Sequence, residues 1–202
     1  KKSRIIKHTS TRSMLFFYKT RLKMTALYYT YYPSPVGQLL ILSDGENITH
    51  IDFEKEQYEP NSKWLKQDEL PVFQKVRLAF ERYFNGEVER FADIPLKPEG
   101  TAFQQAIWQA LRKIDYGELS SYGELALRIN NPKAVRAVGG AVGSNPISII
   151  IPCHRILGKD RTLTGFGGGL EAKRFLLQLE KIPYIDKGTE NTKPRFFKKY
   201  HE

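Results

Sequence analysis

Residues 130–156 read "NNPKAVRAVGGAVGSNPISIIIPCHRI", and three devices follow one another along them. Asn131 as N-cap and Pro132 at the first helical position open a short helix. Ala134, Val135, Val138, Ala141 and Val142 give that helix an apolar face. Arg136, Gly140 and Gly143 fall on another face at i, i+4 and i+7, with Lys133 three residues before Arg136. Each glycine costs a helix roughly 1 kcal/mol relative to alanine. Two reasons fit the spacing equally: close approach of a phosphate backbone, or tight packing of a neighbouring helix. The continuous β-branched run "ISIII" then predicts a short buried strand. Pro152 ends it, having no amide to donate to a ladder. Cys153, the single cysteine among 202 residues, emerges where regular pairing stops.

One cysteine excludes an internal disulfide framework and a cysteine-rich zinc site. It is either an inert core side chain or a reactive thiol. A thiol of ordinary pKa ~8.5 attacks only as the thiolate, which a histidine oriented by a carboxylate can generate. His154 is adjacent, but neighbouring side chains on extended backbone point apart, so a link to Cys153 needs a turn or a bridging water. Downstream, "GKDRTLTGFGGGLEAKRFLLQLE" (158–180) places Gly165, Phe166, Gly167, Gly168 and Gly169 in a loop of little bulk, able to lie against a flat ligand. It lacks the strand–GxxxxGK[ST]–helix context of a phosphate loop. From Leu170 the pattern is helical, with Ala172, Phe175, Leu176 and Leu179 inward. Glu180 ends that helix, either as an exposed terminal carboxylate or as a partner for His154.

Upstream, "TAFQQAIWQALRKI" (101–114) and "SSYGELALRI" (120–129) each open with a capping box, Thr101 with Gln104 and Ser121 with Glu124. The second of these and the helix after "NNP" form a helix-turn-helix candidate, although helical hairpins in cores share that spacing. Further back, "ALYYTYYPSPVGQLLILSDGENITHIDFE" (26–54) predicts two or three antiparallel strands, with "SDGEN" as a hairpin turn. In "VFQKVRLAFERYFNG" (72–86), Val72, Val76, Ala79, Phe80 and Tyr83 recur at helical spacing, and Gly86 marks a C-terminus. "ERFADIPLKPEG" (89–100) is a connector.

The chain is 41% apolar and 12% aromatic, which suits a folded protein. No apolar run approaches the ~18 residues of a membrane-spanning helix. The net charge of +10 is uneven: +8 over residues 1–23, −5 over 24–100 and +7 over 101–202. A basic C-terminal half suits a nucleic-acid partner, or serves solubility alone. The acid-free segment 1–23 has three readings: a targeting peptide, a DNA-binding arm, or sequence upstream of a start at Met24. We favour the last, because "MTALYYTYYPSPVGQLLIL" opens a domain.

From about Thr101 to Glu180 the chain resembles the O6-alkylguanine-DNA alkyltransferases, which repair DNA by direct reversal. The resemblance rests on "FQQAIWQALRKIDYGELSSYGELA", "NPKAVRAVGGAVGSNPISIIIPCHRILG" and "TGFGGGLEAKRFLLQLE". The region around "SPVGQLLIL" is more loosely similar to the family's small N-terminal domain. The fold this implies is α+β: a small ribonuclease H-like α/β domain over 24–97, then a mostly helical domain with a winged helix-turn-helix over 98–185. A basic segment, 1–23, and a basic tail, 186–202, flank them.

The same resemblance assigns roles. Cys153 is the alkyl acceptor, His154 the base acting through water, and Glu180 orients His154. Tyr122 assists proton transfer to the departing guanine, and Asn145 links the recognition helix to the active-site strand. Arg136 enters the base stack, and Lys133, Ala137 and Gly140 lie on the DNA face. Arg155 is structural. Phe166, Gly167 and Gly168 border the base pocket, with Phe166 where many relatives carry a tyrosine, so a rim hydroxyl is missing. No cofactor or metal is implied, since the cysteines of some relatives' zinc site are absent. The implied partner is double-stranded DNA carrying an alkylated guanine, docked through its minor groove, with the nucleotide rotated into the pocket. The implied actor is a monomer, intracellular and off the membrane: cytoplasmic in a prokaryote, nuclear in a eukaryote. It transfers an alkyl group irreversibly from O6-alkylguanine to Cys153, once per molecule, as a methylated-DNA–protein-cysteine methyltransferase. O4-alkylthymine is a further candidate substrate. Two rivals are a non-transferring reader of alkylated bases, against which the acceptor cysteine counts, and a helix-turn-helix regulator, for which no added domain speaks.

Overall fold

The computed structural model describes residues 26–53 and 60–188. The expectations for segment 1–23 and for most of the basic tail fall outside these residues. Strands β1 (Tyr28–Ser34), β2 (Gly37–Ser43) and β3 (Ile48–Phe53) form an antiparallel meander. The "SDGEN" turn closes as expected: Asp44 Oδ1 accepts the amides of Glu46 and Asn47, and Gly45 takes a φ of +102° that a side chain would disfavour. A two-residue strand that the sequence did not announce, β4 (Leu65–Lys66), adds parallel to β1, giving the order β3-β2-β1-β4.

Helix α1 (Pro71–Phe84) buries the face read from spacing, Val72, Phe73, Val76, Ala79, Phe80 and Tyr83. Gly86 follows it at φ +84°. The connector then crosses to the helical half, where α2 (Ala102–Leu111) and α3 (Tyr122–Arg128) both begin with complete capping boxes. A 3-10 turn over Pro132–Ala134 leads into α4 (Val135–Gly143). Pro132 sits at the first position as expected, but the Asn131 side chain makes no capping bond. The turn is closed instead by backbone, Ala134 N to Asn131 O at 3.0 Å. Val135, assigned to the apolar face, is 42% exposed, because the inward stripe of α4 is only Val138, Ala141 and Val142.

One expectation fails outright. "ISIII" is buried but is not a strand: Ile149 adopts φ +71°, and bonds from Ile150 N to Ser148 O and Ile151 N to Ile147 O fold the segment into turns. β-branched residues rarely accept a positive φ, so tertiary contacts impose it. The sheet supplies one: Ile51 of β3 donates to Pro146 O and accepts from Ser148 N, both at 2.9 Å. The chain then makes a 3-10 turn over Cys153–Arg155, strand β6 (Ile156–Leu157) pairing in parallel with β5 (Ser120–Ser121), and helix α5 (Gly169–Leu179). Sheet and helices share one hydrophobic core running from Leu39 and Phe73 through Trp108 and Ile151 to Leu176.

Each capping box satisfies amide donors that the first helical turn leaves unpaired. Thr101→Ala and Ser121→Ala should each lower the unfolding free energy by about 1 kcal/mol, read from the urea midpoint.

Candidate active site

The turn over 145–155 carries the thiol. Asn145, 7% exposed, uses both ends of its amide: Oδ1 accepts the Ile147 amide at 3.0 Å, and Nδ2 donates to Ile151 O at 2.8 Å and to Cys153 Sγ at 3.0 Å. The side chain that shapes the turn therefore also presents a donor to sulfur. Cys153 keeps 9% of its surface open. Burial pushes its thiol up, and the Asn145 amide and the Lys173 charge pull the other way without cancelling it. The resting sulfur is a protonated thiol and needs a base.

Because residues 153–155 are a 3-10 turn and not extended chain, His154 and Arg155 turn inward together onto one carboxylate. His154 Nε2 lies 2.8 Å from Glu180 Oε1. Arg155 forks onto both oxygens, Nε to Oε2 at 2.7 Å and Nη2 to Oε1 at 2.9 Å, while Nη1 donates to Ile114 O at 2.6 Å. Burial alone would raise the Glu180 carboxyl, but the hydrogen bonds and charges of His154 and Arg155 outweigh it and hold it at about 2. Burial pushes His154 down, so its ring is neutral. An ionised carboxylate only accepts. The single ring proton therefore sits on Nε2, and the lone pair is on Nδ1. Nδ1 is buried and makes no hydrogen bond among the described residues. The imidazole is thus neutral and fixed in one tautomer, with its basic nitrogen on the residue next to a protonated thiol, an arrangement that can serve general-base chemistry.

A second cluster approaches from α3 and α5. Tyr122 Oη shares a hydrogen bond with Thr164 Oγ1 at 3.1 Å. Burial raises its phenol, so it stays a donor. Lys173, 1% exposed, donates to Ile156 O at 2.6 Å and to Thr164 O and Oγ1 at 3.1 Å. Burial pushes its ammonium down to about 8. Phe166 packs edge-on against Phe53 with centroids 5.4 Å apart, and against the His154 ring at 6.4 Å. Gly168 is forced: a Cβ there would meet the Phe53 ring at 2.6 Å. Gly167 is open.

Lys133 in the 3-10 turn and Arg136, Ala137 and Gly140 on α4 are all exposed. A Cβ on Gly140 would meet nothing within 4 Å, which removes the helix-packing explanation for that glycine. The opposite side of α4 is pinned by Trp108 Nε1 donating to Ala141 O at 2.9 Å.

The structure thus gathers Cys153, His154, Glu180, Asn145 and Tyr122 around one turn and sets Arg136 on a separate open helix face. Sequence reading missed Lys173, Thr164, Phe53 and the Glu180 partnership of Tyr83. A lysine inside the apolar stripe of Ala172 and Leu176 was the one available signal. Among the described residues no group of three or more His, Cys, Asp or Glu gathers to hold a metal, and no helix is long and apolar enough to cross a membrane. A cleft of about 400 Å³ between α2 and the end of α3, lined by Gln109, Lys113, Arg128 and Asn130, shares no residue with the thiol cluster.

Two family descriptions match the chain: the ribonuclease-like domain of 6-O-methylguanine DNA methyltransferase over residues 27–98, and its DNA-binding domain over 102–182. A methylated-DNA–protein-cysteine methyltransferase of Haemophilus influenzae is 94% identical over 179 residues, covering 89% of this chain and all of the relative. One of Methanosarcina acetivorans is 45% identical over 76% of this chain and 98% of its own length. Among solved structures, the O6-methylguanine methyltransferase of Mycobacterium tuberculosis superposes with a TM-score of 0.71 at 44% identity, covering 77% of this chain and 93% of that one. The M. tuberculosis protein OGT in complex with DNA gives 0.69 at 44% identity, covering 76% and 93%.

Folded His154 lies below its ordinary 6.5 and Glu180 near 2 against 4.5, so the unfolded chain binds more protons on acidification. Stability should be full near neutrality and fall as pH drops below about 6.5, with buried His50, lowered to about 4, adding to that loss. A second loss should run from about 4.5 towards 2 as Glu180 protonates, joined by Asp44 and Asp160. Urea midpoints between pH 7.5 and 3 measure both; a midpoint that rises on acidification contradicts the assignment.

Proposed function

The chain belongs to the 6-O-methylguanine DNA methyltransferase family, and we propose that it repairs DNA by moving the alkyl group of an O6-alkylguanine onto Cys153. The observation that carries this reading is the tautomer: Glu180 accepts the Nε2–H hydrogen bond of His154, and Nδ1 is buried with no hydrogen-bond partner among the described residues. Through a bridging water, Nδ1 accepts the proton of Cys153. Asn145 Nδ2, 3.0 Å from sulfur, steadies the thiolate as it forms. The thiolate attacks the alkyl carbon, a C–S bond forms and the C–O6 bond breaks. The electron pair stays on guanine, which takes a proton from Tyr122 Oη and leaves as the neutral base. Thr164 Oγ1 stands between Tyr122 Oη and Lys173 Nζ, so a hydrogen-bonded donor lies behind the phenol. A thioether has no ready reversal, so each molecule acts once. O4-alkylthymine presents the same leaving chemistry and is the second candidate substrate.

DNA is the partner. A guanine stacked in a duplex is out of reach of a thiol with 9% exposure, so the nucleotide turns out of the helix. We assign docking to the open face of α4 in the minor groove, where Ala137 and Gly140 permit close approach. Arg136 fills the vacated stack, and Lys133 meets phosphate. Alkylation damage is not tied to sequence, and contacts to backbone and groove shape are indifferent to sequence. A single chain holds nucleophile, base, proton donor and stack-filling arginine, which supports a monomer as the acting unit. We set the domain boundary at 97/98, between a sheet domain beginning at 24 and an alkyl-transfer domain ending at 185. The Pro95–Gly100 connector and the two family matches, ending at 98 and beginning at 102, support it.

Incubation with an O6-methylguanine duplex should add one methyl group to the peptide holding Cys153, by mass spectrometry. Cys153→Ala should abolish that gain while sparing DNA binding; methyl appearing on another residue, or none, defeats the assignment. Arg136→Ala should slow repair in duplex by roughly tenfold or more, since unstacking costs a few kcal/mol, with much less effect on the free base O6-benzylguanine. Equal slowing of both removes Arg136 from the stack.

A further inference from the structure

Among the described residues, three contacts from the N-terminal half shape the thiol site, beside the Asp52 charge that acts on Cys153. Ile51 of β3 pairs with the backbone of Pro146 and Ser148, and Phe53 supports Phe166 and excludes a side chain at Gly168. The third contact is chemical. Tyr83, in the last turn of α1 and fully buried, donates Oη to Glu180 Oε1 at 2.7 Å. That oxygen is the one bonded to His154 Nε2 at 2.8 Å and Arg155 Nη2 at 2.9 Å. The other oxygen takes Arg155 Nε at 2.7 Å and the Gly117 amide at 3.4 Å. The phenol ring is held edge-on by Phe84 at 5.2 Å and Tyr116 at 6.1 Å, and tilted against Phe91 at 5.5 Å, so the hydroxyl has one direction to point. Burial and the Glu180 charge push this phenol well up, so it remains a donor.

We propose that Tyr83 is a positioning residue for alkyl transfer, through which the N-terminal half sets both the orientation and the basicity of His154. This rests on the reading of Cys153, His154 and Glu180 given above. Two physical effects are involved. The hydroxyl fixes the carboxylate so that Oε1 faces the imidazole. It also draws charge from that oxygen, because a carboxylate sharing its lone pairs among three donors is a weaker partner for each. A weaker Glu180 stabilises the imidazolium less, which, together with the Arg155 and Lys173 charges that oppose it, keeps His154 neutral at the pH of repair and Nδ1 available to the thiol.

The test is Tyr83→Phe, which keeps the ring and its packing and removes one oxygen. Alkylation of Cys153 by free O6-benzylguanine is followed against pH by mass spectrometry, beside urea stability. Without the phenol, Glu180 binds the imidazolium more strongly, so the acid limb of the rate profile should move to higher pH by about half a unit or more. The plateau rate should fall by roughly three- to tenfold, because one hydrogen bond to a charged group is lost from a residue that acts through another. Phe91→Leu loosens the same aromatic packing without touching the hydroxyl; it should lower stability and leave the acid limb in place. An unmoved acid limb in Tyr83→Phe, or an equal shift in Phe91→Leu, overturns the proposal and makes Tyr83 a packing residue. Failure of the unsubstituted chain to take the benzyl group on Cys153 would strike the site reading itself, a result distinguishable from either.

Discussion

Glu180 is a carboxylate 2% exposed to solvent, and the placement of the surrounding elements is set by what its charge requires. A buried charge is strongly unfavourable unless it is paired and its lone pairs are filled. Here one guanidinium forks across both oxygens, and an imidazole, a phenol and a backbone amide fill the remainder. These donors come from the 3-10 turn of Cys153–Arg155, from α1, and from the Asp115–Glu118 turn, while the carboxylate belongs to the residue that ends α5. The same ion cluster therefore joins four segments and fixes the orientation of an imidazole. Had Arg155 been absent, Glu180 would carry an uncompensated charge; had Glu180 been absent, His154 would lose both its tautomer and its direction.

The chemistry also needs a thiol that is quiet until engaged. Burial keeps Cys153 protonated at rest, and the groups that favour the thiolate, Asn145 and Lys173, are in place without prevailing. A permanently ionised sulfur would be open to oxidation and stray electrophiles, an unaffordable property in a protein that acts once. The division between the two faces of α4 follows a similar logic. One side is locked by Trp108 to the Ala141 carbonyl. The other offers Gly140 with open space above it, a surface that suits a close-lying duplex because nothing of the protein occupies it.

The N-terminal sheet bears on this site as well. Its edge strand pairs with the turn that carries Asn145, and Phe53 dictates the glycine at 168. Ile149 at φ +71° lies within that turn, in a conformation a β-branched residue does not choose alone. The paired backbone of Ile51 and the two-ended grip of Asn145 hold the backbone of this turn.

Local physics in the sequence determined the capping boxes of α2 and α3, the buried stripe of α1, the Asp44–Asn47 turn, and the end of α5 at Glu180. Each depends on residues within four positions of one another, so spacing alone encodes them. The proposed acceptor, base and carboxylate were named through the family's motif, not through any local rule. "ISIII" was misread because β-branched runs signal burial as much as strand, and what bends this one, a paired strand about a hundred residues away, leaves no mark nearby. Tyr83 looked like a core aromatic, since its ring packs as one; only the fold brings its hydroxyl to a carboxylate 97 residues along the chain. The free nitrogen of His154 was likewise decided by tertiary structure, because a tautomer is set by the partner that the other nitrogen meets in space.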